Sequence, residues 1–143
     1  MNTIPRCIRN NNPGNIIANS APFQGEVRPS KDAHFKQFVS MAYGFRALMK
    51  IVHTKYAKGR RTVRAIISEW APPTENDTNA YIDRVCKALK VERDEVLHMN
   101  PTVYRQIAAA IFDVEKGNYK YDATKDISEG FELCHFTDVN YLL

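Results

Sequence analysis

The chain has 143 residues, 44% of them hydrophobic and 25% charged, which is enough to bury one core without disulfide or metal staples. A formal net charge of +4 and a pI near 9.0 suit polyanionic partners (nucleic acid, an anionic membrane face, an acidic cell-wall polymer), although a charge of that size also serves plain solubility. Cys7, Cys86 and Cys134 are an odd number at unrelated spacings, and there is no CxxC pair, Walker loop, GxGxxG or RNP pattern. A disulfide framework, a metal site and a nucleotide cofactor are therefore not expected.

The N-terminal stretch MNTIPRCIRN has no apolar h-region, and no run is long enough to cross a bilayer. The expectation is a chain made in the cytoplasm without a signal peptide and without membrane insertion. Residues 10–40 concentrate Asn, Pro, Gly and Ser around short apolar alternations at Ile16, Ile17, Phe23, Val27, Phe35 and Phe38, which predicts a small hairpin or a pair of short strands. From Ser40 onward the period becomes helical. Met41, Phe45, Leu48, Val52 and Tyr56 share one stripe, with Ser40 as N-cap and Gly59 ending the run. Thr62 caps a second helix with Val63, Ile66, Ile67 and Trp70 on its apolar face, stopped by Pro72-Pro73. Asp77 or Thr78 caps a third, carrying Tyr81, Ile82, Val85 and Leu89; Cys86 there reads as a small core residue.

Residues 92–100, ERDEVLHMN, predict one short turn of helix. Asn100-Pro101 is an amide cap followed by proline at the first helical position, and it opens a helix with Val103, Ile107, Ala110, Ile111 and Val114 inward and Gly117 just past its end. A last helix spans about 125 to 134, and the tail HFTDVNYLL is ambiguous. No repeat, linker or low-complexity segment interrupts this order. The reading is one mainly α (α+β) domain over residues 1–143, with a small β-like lobe near the N-terminus, expected to be a monomer.

Glu115, in AAAIFDVEKG, is the most informative position. A carboxylate at a helix C-terminus meets the negative end of the dipole, and partial burial adds to that; both favour the neutral acid that a general acid must be. A solvated Glu beside Lys116 is the plainer alternative. Asn11, Asn12 and Asn15, in RNNNPGNI, offer donors and acceptors around a Pro13-Gly14 turn. Neutral amides suit the hydroxyl and acetamido groups of sugars, because no charge has to be desolvated; turn-building is the commoner role. Trp70 could stack on a pyranose face, and Glu75 and Asn76 extend from the stiff Pro-Pro loop, though Trp70 also fits the core. Gln24 and Glu26 lie in FQGE; Glu26 is a second candidate carboxylate, although an exposed hairpin glutamate is the plainer expectation. His34, His53, His98 and His135 show no ligand spacing.

These motifs resemble a known family. RNNNPGNI, FQGE, HFKQFVSMAYGFRALMKIV and TVRAIISEWAPPTENDTNAYIDRV are similar to small phage and prophage proteins, often labelled structural, that look related to lysozyme-like peptidoglycan hydrolases; the stretch covers about the first 90 residues. IAAAIFDVEKGNY resembles the helix end that carries the acidic glutamate in lysozyme-like folds, and it brings Tyr119 into the candidate substrate-binding set. In flagellar-type glucosaminidases an NN-x-F-G-I segment, a W-x-G turn and a later tyrosine line the groove. Asn11-Asn12, Phe23-Gln24-Gly25 and Tyr81 match those positions. There the glutamate helix precedes the Asn segment, whereas here it comes last, so the resemblance implies a circular permutation.

The resemblance implies cleavage of the β-1,4 bond between MurNAc and GlcNAc. Glu115 would be the general acid, Glu26 or Glu75 would position water in a hydrolase, and neither would be needed in a lytic transglycosylase. Asn11, Asn12, Asn15, Gln24, Trp70, Asn76, Tyr81 and Tyr119 would bind the glycan strand, acting in the periplasm or cell wall after delivery by a phage or a secretion system. The alternative is a non-catalytic virion or wall-binding protein. Nucleic acid is not an expected partner, because the basic residues are scattered apart from Lys58 to Arg61.

Overall fold

The computed structural model describes residues 3–73 and 77–136. Six helices and one two-stranded antiparallel sheet make up these residues, so the protein is mainly α with a small β component. A single turn, α1 (Arg6–Arg9), starts behind Pro5 and sinks Cys7 fully into the core. So short a helix leaves no readable period in the residues. The asparagine loop follows, then β1 (Glu26–Val27) and β2 (Gln37–Phe38), paired Glu26 with Phe38 and Val27 with Gln37. Ile17 bridges Phe35, which extends this pairing toward the loop.

The four long helical starts lie where their caps predict. Ser40 accepts from the Tyr43 amide ahead of α2 (Met41–Ala57), and Thr62 from Ala65 ahead of α3 (Val63–Trp70). Asp77 accepts from Ala80 at α4 (Thr78–Leu89), and Asn100 from Val103 at α5 (Pro101–Lys116). Each bond satisfies an amide that has no partner inside its helix. The last helix, α6 (Thr124–Cys134), begins as Thr124 folds back onto Asp122.

Residues 92–100 do not form the expected helical turn. A turn at Arg93 and Asp94 gives way to irregular backbone, where Leu97 donates to the Arg61 carbonyl at 2.8 Å. Leu97 and Met99 are buried while Val96 and His98 face solvent, so the apolar residues there follow a period of two rather than 3.6.

Helix α2 is the axis of the domain. Phe45, Leu48, Met49 and Val52 are all but fully buried, and they meet Ile66 and Ile67 of α3 and Tyr104, Ile107 and Ile111 of α5 in one core. Helix α6 lies closest along α2. A Cβ on Gly130 would stand 2.7 Å from the Ala42 carbonyl oxygen, so any other residue there forces the two helices apart. Gly44 lets the asparagine loop approach α2 in the same way, since a Cβ there would run into the Asn11 carbonyl. These contacts carry the loop across the end of the bundle to the last turn of α5.

Candidate functional site

Helix α5 delivers Glu115 in its final turn, half-buried, with Lys116 and Gly117 behind it. Two side chains from distant parts of the chain meet its carboxylate. The Tyr81 hydroxyl, from the first turn of α4, donates to Oε2 at 2.7 Å. The Asn15 amide donates Nδ2 to Oε1 at 2.8 Å across a sequence separation of 100 residues. Asn15 reaches this position from a left-handed backbone with φ of 48°, a conformation that Asn tolerates better than most residues. The Lys116 ammonium is turned away, 3.5 Å from Asp113, so no cation neutralises Glu115 from its own helix end.

The neighbours keep their protons. Burial first, and the Glu115 charge second, push the Tyr81 phenol far above its ordinary range. The same two causes in the same order raise the Cys7 thiol to about 11. Asn15 does not titrate.

Glu115 and Asn15 open onto a cleft of about 170 Å³, walled by Gly14, Ile17, Phe35, Trp70 and Pro72. Gly14 is needed there, because a Cβ would strike the Trp70 ring edge. Ile17 is 61% exposed on the rim, an unusual place for a large apolar side chain, and it faces Phe35 across their bridge. The cleft thus combines one carboxylate, neutral polar groups and apolar faces. Asn15 Oδ1 is buried and has no hydrogen-bond partner among the described residues, an acceptor left over beside Glu115.

Of the candidates named from sequence, the structure brings together Glu115, Asn15, Tyr81 and Trp70. Asn12 is elsewhere: fully buried, it donates to the Ile16 and Lys36 carbonyls at 3.0 and 2.9 Å and accepts from the Ile16 amide at 2.9 Å. It cannot reach a ligand, and its capacity goes into riveting the loop to the hairpin. Asn11 is likewise committed, donating to the Phe38 carbonyl at 3.1 Å.

Glu26 is not the exposed hairpin residue expected. Its side chain is 6% exposed and pairs at 3.1 Å with the completely buried Lys36 ammonium, which removes it from the cleft. Gln24 is exposed in the turn that precedes β1, and Tyr119 is half-buried just after α5; neither lines the cleft. Glu75 and Asn76 lie outside the described residues. Sequence reasoning did not name Gly14, Ile17, Phe35 or Pro72. The Ile16-Ile17 doublet carried a signal, because in extended backbone one of two adjacent apolar residues must face outward.

The fold and cleft define a class: a small, mainly α protein with a sheet-backed cleft organised around one carboxylate held by two neutral donors. No family model matches the chain. Over 138 residues, however, it is 36% identical to Protein P5 of Pseudoalteromonas phage PM2, a match covering 92% of this chain and 83% of that protein. The chain belongs to the family of that phage protein.

Proposed function

We propose that the protein cleaves the β-1,4 glycosidic bond between MurNAc and GlcNAc in peptidoglycan, with Glu115 as general acid. The observation that carries this reading is the Glu115 carboxyl, fixed from two sides by Tyr81 and Asn15 at the edge of a cleft with Trp70 in its wall. The protonated acid gives its proton to the glycosidic oxygen as the C1–O bond breaks and positive charge develops on the sugar. Trp70 and Phe35 supply the apolar faces on which pyranose rings stack.

Glu26 is spent on Lys36, and among the described residues no second carboxylate lines the cleft. That favours the lytic transglycosylase outcome. Glu115, now a carboxylate, takes the proton of the MurNAc 6-hydroxyl as its oxygen closes onto C1, giving a 1,6-anhydro end. Kinship with a phage protein supports delivery to the cell wall by a phage, and a lysozyme-like arrangement in permuted order fits a catalytic glutamate on the penultimate helix.

The lone carboxylate also favours a second reading, a non-catalytic virion or wall-binding protein that keeps the groove without the chemistry. Mass spectrometry of digested sacculi tests both. Anhydro-muramic ends that vanish with Glu115→Gln establish the transglycosylase, reducing ends point to a hydrolase, and intact glycan with retained binding leaves the binder.

A further inference from the structure

A second concavity, of about 300 Å³, lies between α2, the loop after it and the last turn of α3. Its polar wall carries Lys50, Lys55, Lys58 and Arg60 against a single carboxylate, Glu69. Four positive charges less one leaves +3, against +4 for the whole chain, so most of the excess charge of the protein converges on one pocket. Elsewhere several arginines are paired with single carboxylates: Arg64 with Asp94, Arg84 with Asp113, Arg93 with Asp83.

The pocket is also built. Glu69 accepts from Lys55 Nζ and Arg60 Nε, both at 2.8 Å, and holds the two cations side by side; those bonds keep its own carboxyl below the usual range and so ionised. Arg60 Nη1 is tied to the Lys58 carbonyl at 3.0 Å, and Nη2 has no partner among the described residues. The Lys58 side chain is exposed and likewise unpartnered among them. The open Nη2 edge of the Arg60 guanidinium and the exposed Lys58 ammonium on the same wall offer the donors and the charge that a carboxylate takes.

Its apolar wall links it to the cleft. Phe23 and Ile51 line this pocket, Trp70 lines the cleft of Glu115, and all three pack on the same small cluster of Ile16, Phe38 and Ala47. Glu69 and Trp70 are also adjacent in α3, at the boundary between the two sites.

The geometry points to this basic pocket as a binding site for the acidic stem peptides of peptidoglycan, engaging a peptide carboxylate while the glycan lies across Trp70 into the cleft. This rests on the glycan reading above. A polymer of neutral sugars gives a cation nothing to pair with; peptide carboxylates hanging from alternate sugars do. Arg60 and Lys58 make the contact, and Lys50 and Lys55 supply field, which makes the interaction sensitive to salt.

The test uses the full chain in the Glu115→Gln background, so that cosedimentation with sacculi reads binding without digestion. Lys58→Glu combined with Arg60→Glu is expected to weaken binding roughly tenfold or more, the effect of removing and reversing two exposed charge contacts. Lys58→Arg with Arg60→Lys retains most of it. Sacculi whose carboxyls are converted to methylamides, and glycan strands stripped of stems by an amidase, are both expected to bind the unreversed protein as weakly as intact sacculi bind the reversed variant. Equal binding to amidated and untreated sacculi overturns the inference. So does loss of duplex DNA binding in the reversed variant with sacculus binding unchanged, which assigns the pocket to nucleic acid. Failure of the glycan reading shows separately, as unaltered sacculus digestion by Glu115→Gln.

Discussion

Two carboxylates, Glu26 in the hairpin and Glu115 at the end of α5, are both withdrawn from solvent, and the chain treats them in opposite ways. Glu26 is 6% exposed and meets a charge: the Lys36 ammonium, itself completely buried, which also donates to the Asn19 and Ala21 carbonyls at 3.3 and 2.8 Å. Glu115 is half-buried and meets only neutral donors, Tyr81 and Asn15, with one side left to the cleft. The Glu26–Lys36 pair is held inside the fold, away from the cleft. Glu115, held by an amide and a phenol, keeps its position without a cation. The comparison separates an acid paired inside the fold from one that is open to a cleft.

The largest effect that breaks or sustains this contrast is on activity. Glu115→Gln keeps the side-chain volume and an oxygen for one of its donors, so the fold should survive. Glycan cleavage should fall about 10³-fold, in the range a general acid supplies. Release of soluble muropeptides from sacculi measures it, and substantial residual cleavage would move the acid role to another residue. Glu26→Gln should do the reverse, leaving per-molecule activity near wild type.

Next in size is stability at the hairpin. Lys36→Met leaves Glu26 buried with Arg28 Nε, 3.7 Å away and half-exposed, as its remaining cation. Breaking a buried pair from one side costs about 3 kcal/mol or more. Urea unfolding reads it, and the double variant Lys36→Met with Glu26→Gln should recover much of the loss. If the single change is silent, the pair is not what orders the hairpin.

Much of this layout was legible in the sequence, and the boundary between legible and hidden is physical. Ser40, Thr62, Asp77 and Asn100 were readable as caps because each acts on an amide three residues away. Glu115 was readable because a helix end and an apolar run are local. Asn12 and Asn15 were not separable, since the same residue in the same loop acquires opposite roles from partners 24 and 100 residues distant. Lys36 gave no sign of burial in HFKQF, and only the fold supplies the carbonyls and carboxylate that make its burial tolerable. Residues 92–100 misled because a few acidic and apolar residues satisfy a helical template that two inward-facing side chains, Leu97 and Met99, satisfy better as irregular chain.

Tyr81→Phe probes Glu115 more gently. It removes one neutral donor from Glu115 Oε2 and leaves the ring packing intact. The loss of one hydrogen bond to a charged group, about 1.5–3 kcal/mol at most, should appear as roughly a tenfold or larger fall in kcat and as a shifted pH–rate profile, with the hairpin untouched. An unchanged pH profile would make Tyr81 a packing residue only.

The smallest contrast between the two acids lies in alkaline stability. Cys7 and Cys134 ionise at the ordinary 9.0 when unfolded but at about 11 in the fold, and burial raises Tyr121 to about 12 in the same sense. The folded chain therefore holds more protons than the unfolded chain between those values. The corresponding stability is fully present below pH 9 and drains away as pH rises toward 11. Urea midpoints should fall between pH 8.5 and 10.5. Because the Glu115 charge is the second cause of the Cys7 shift, Glu115→Gln should make that decline shallower, whereas Glu26→Gln, whose charge contributes to none of these shifts, should leave its slope alone. Equal slopes in the two variants would mean that Glu115 does not bear electrostatically on the buried thiol, and the contrast between the two acids would then rest on geometry alone.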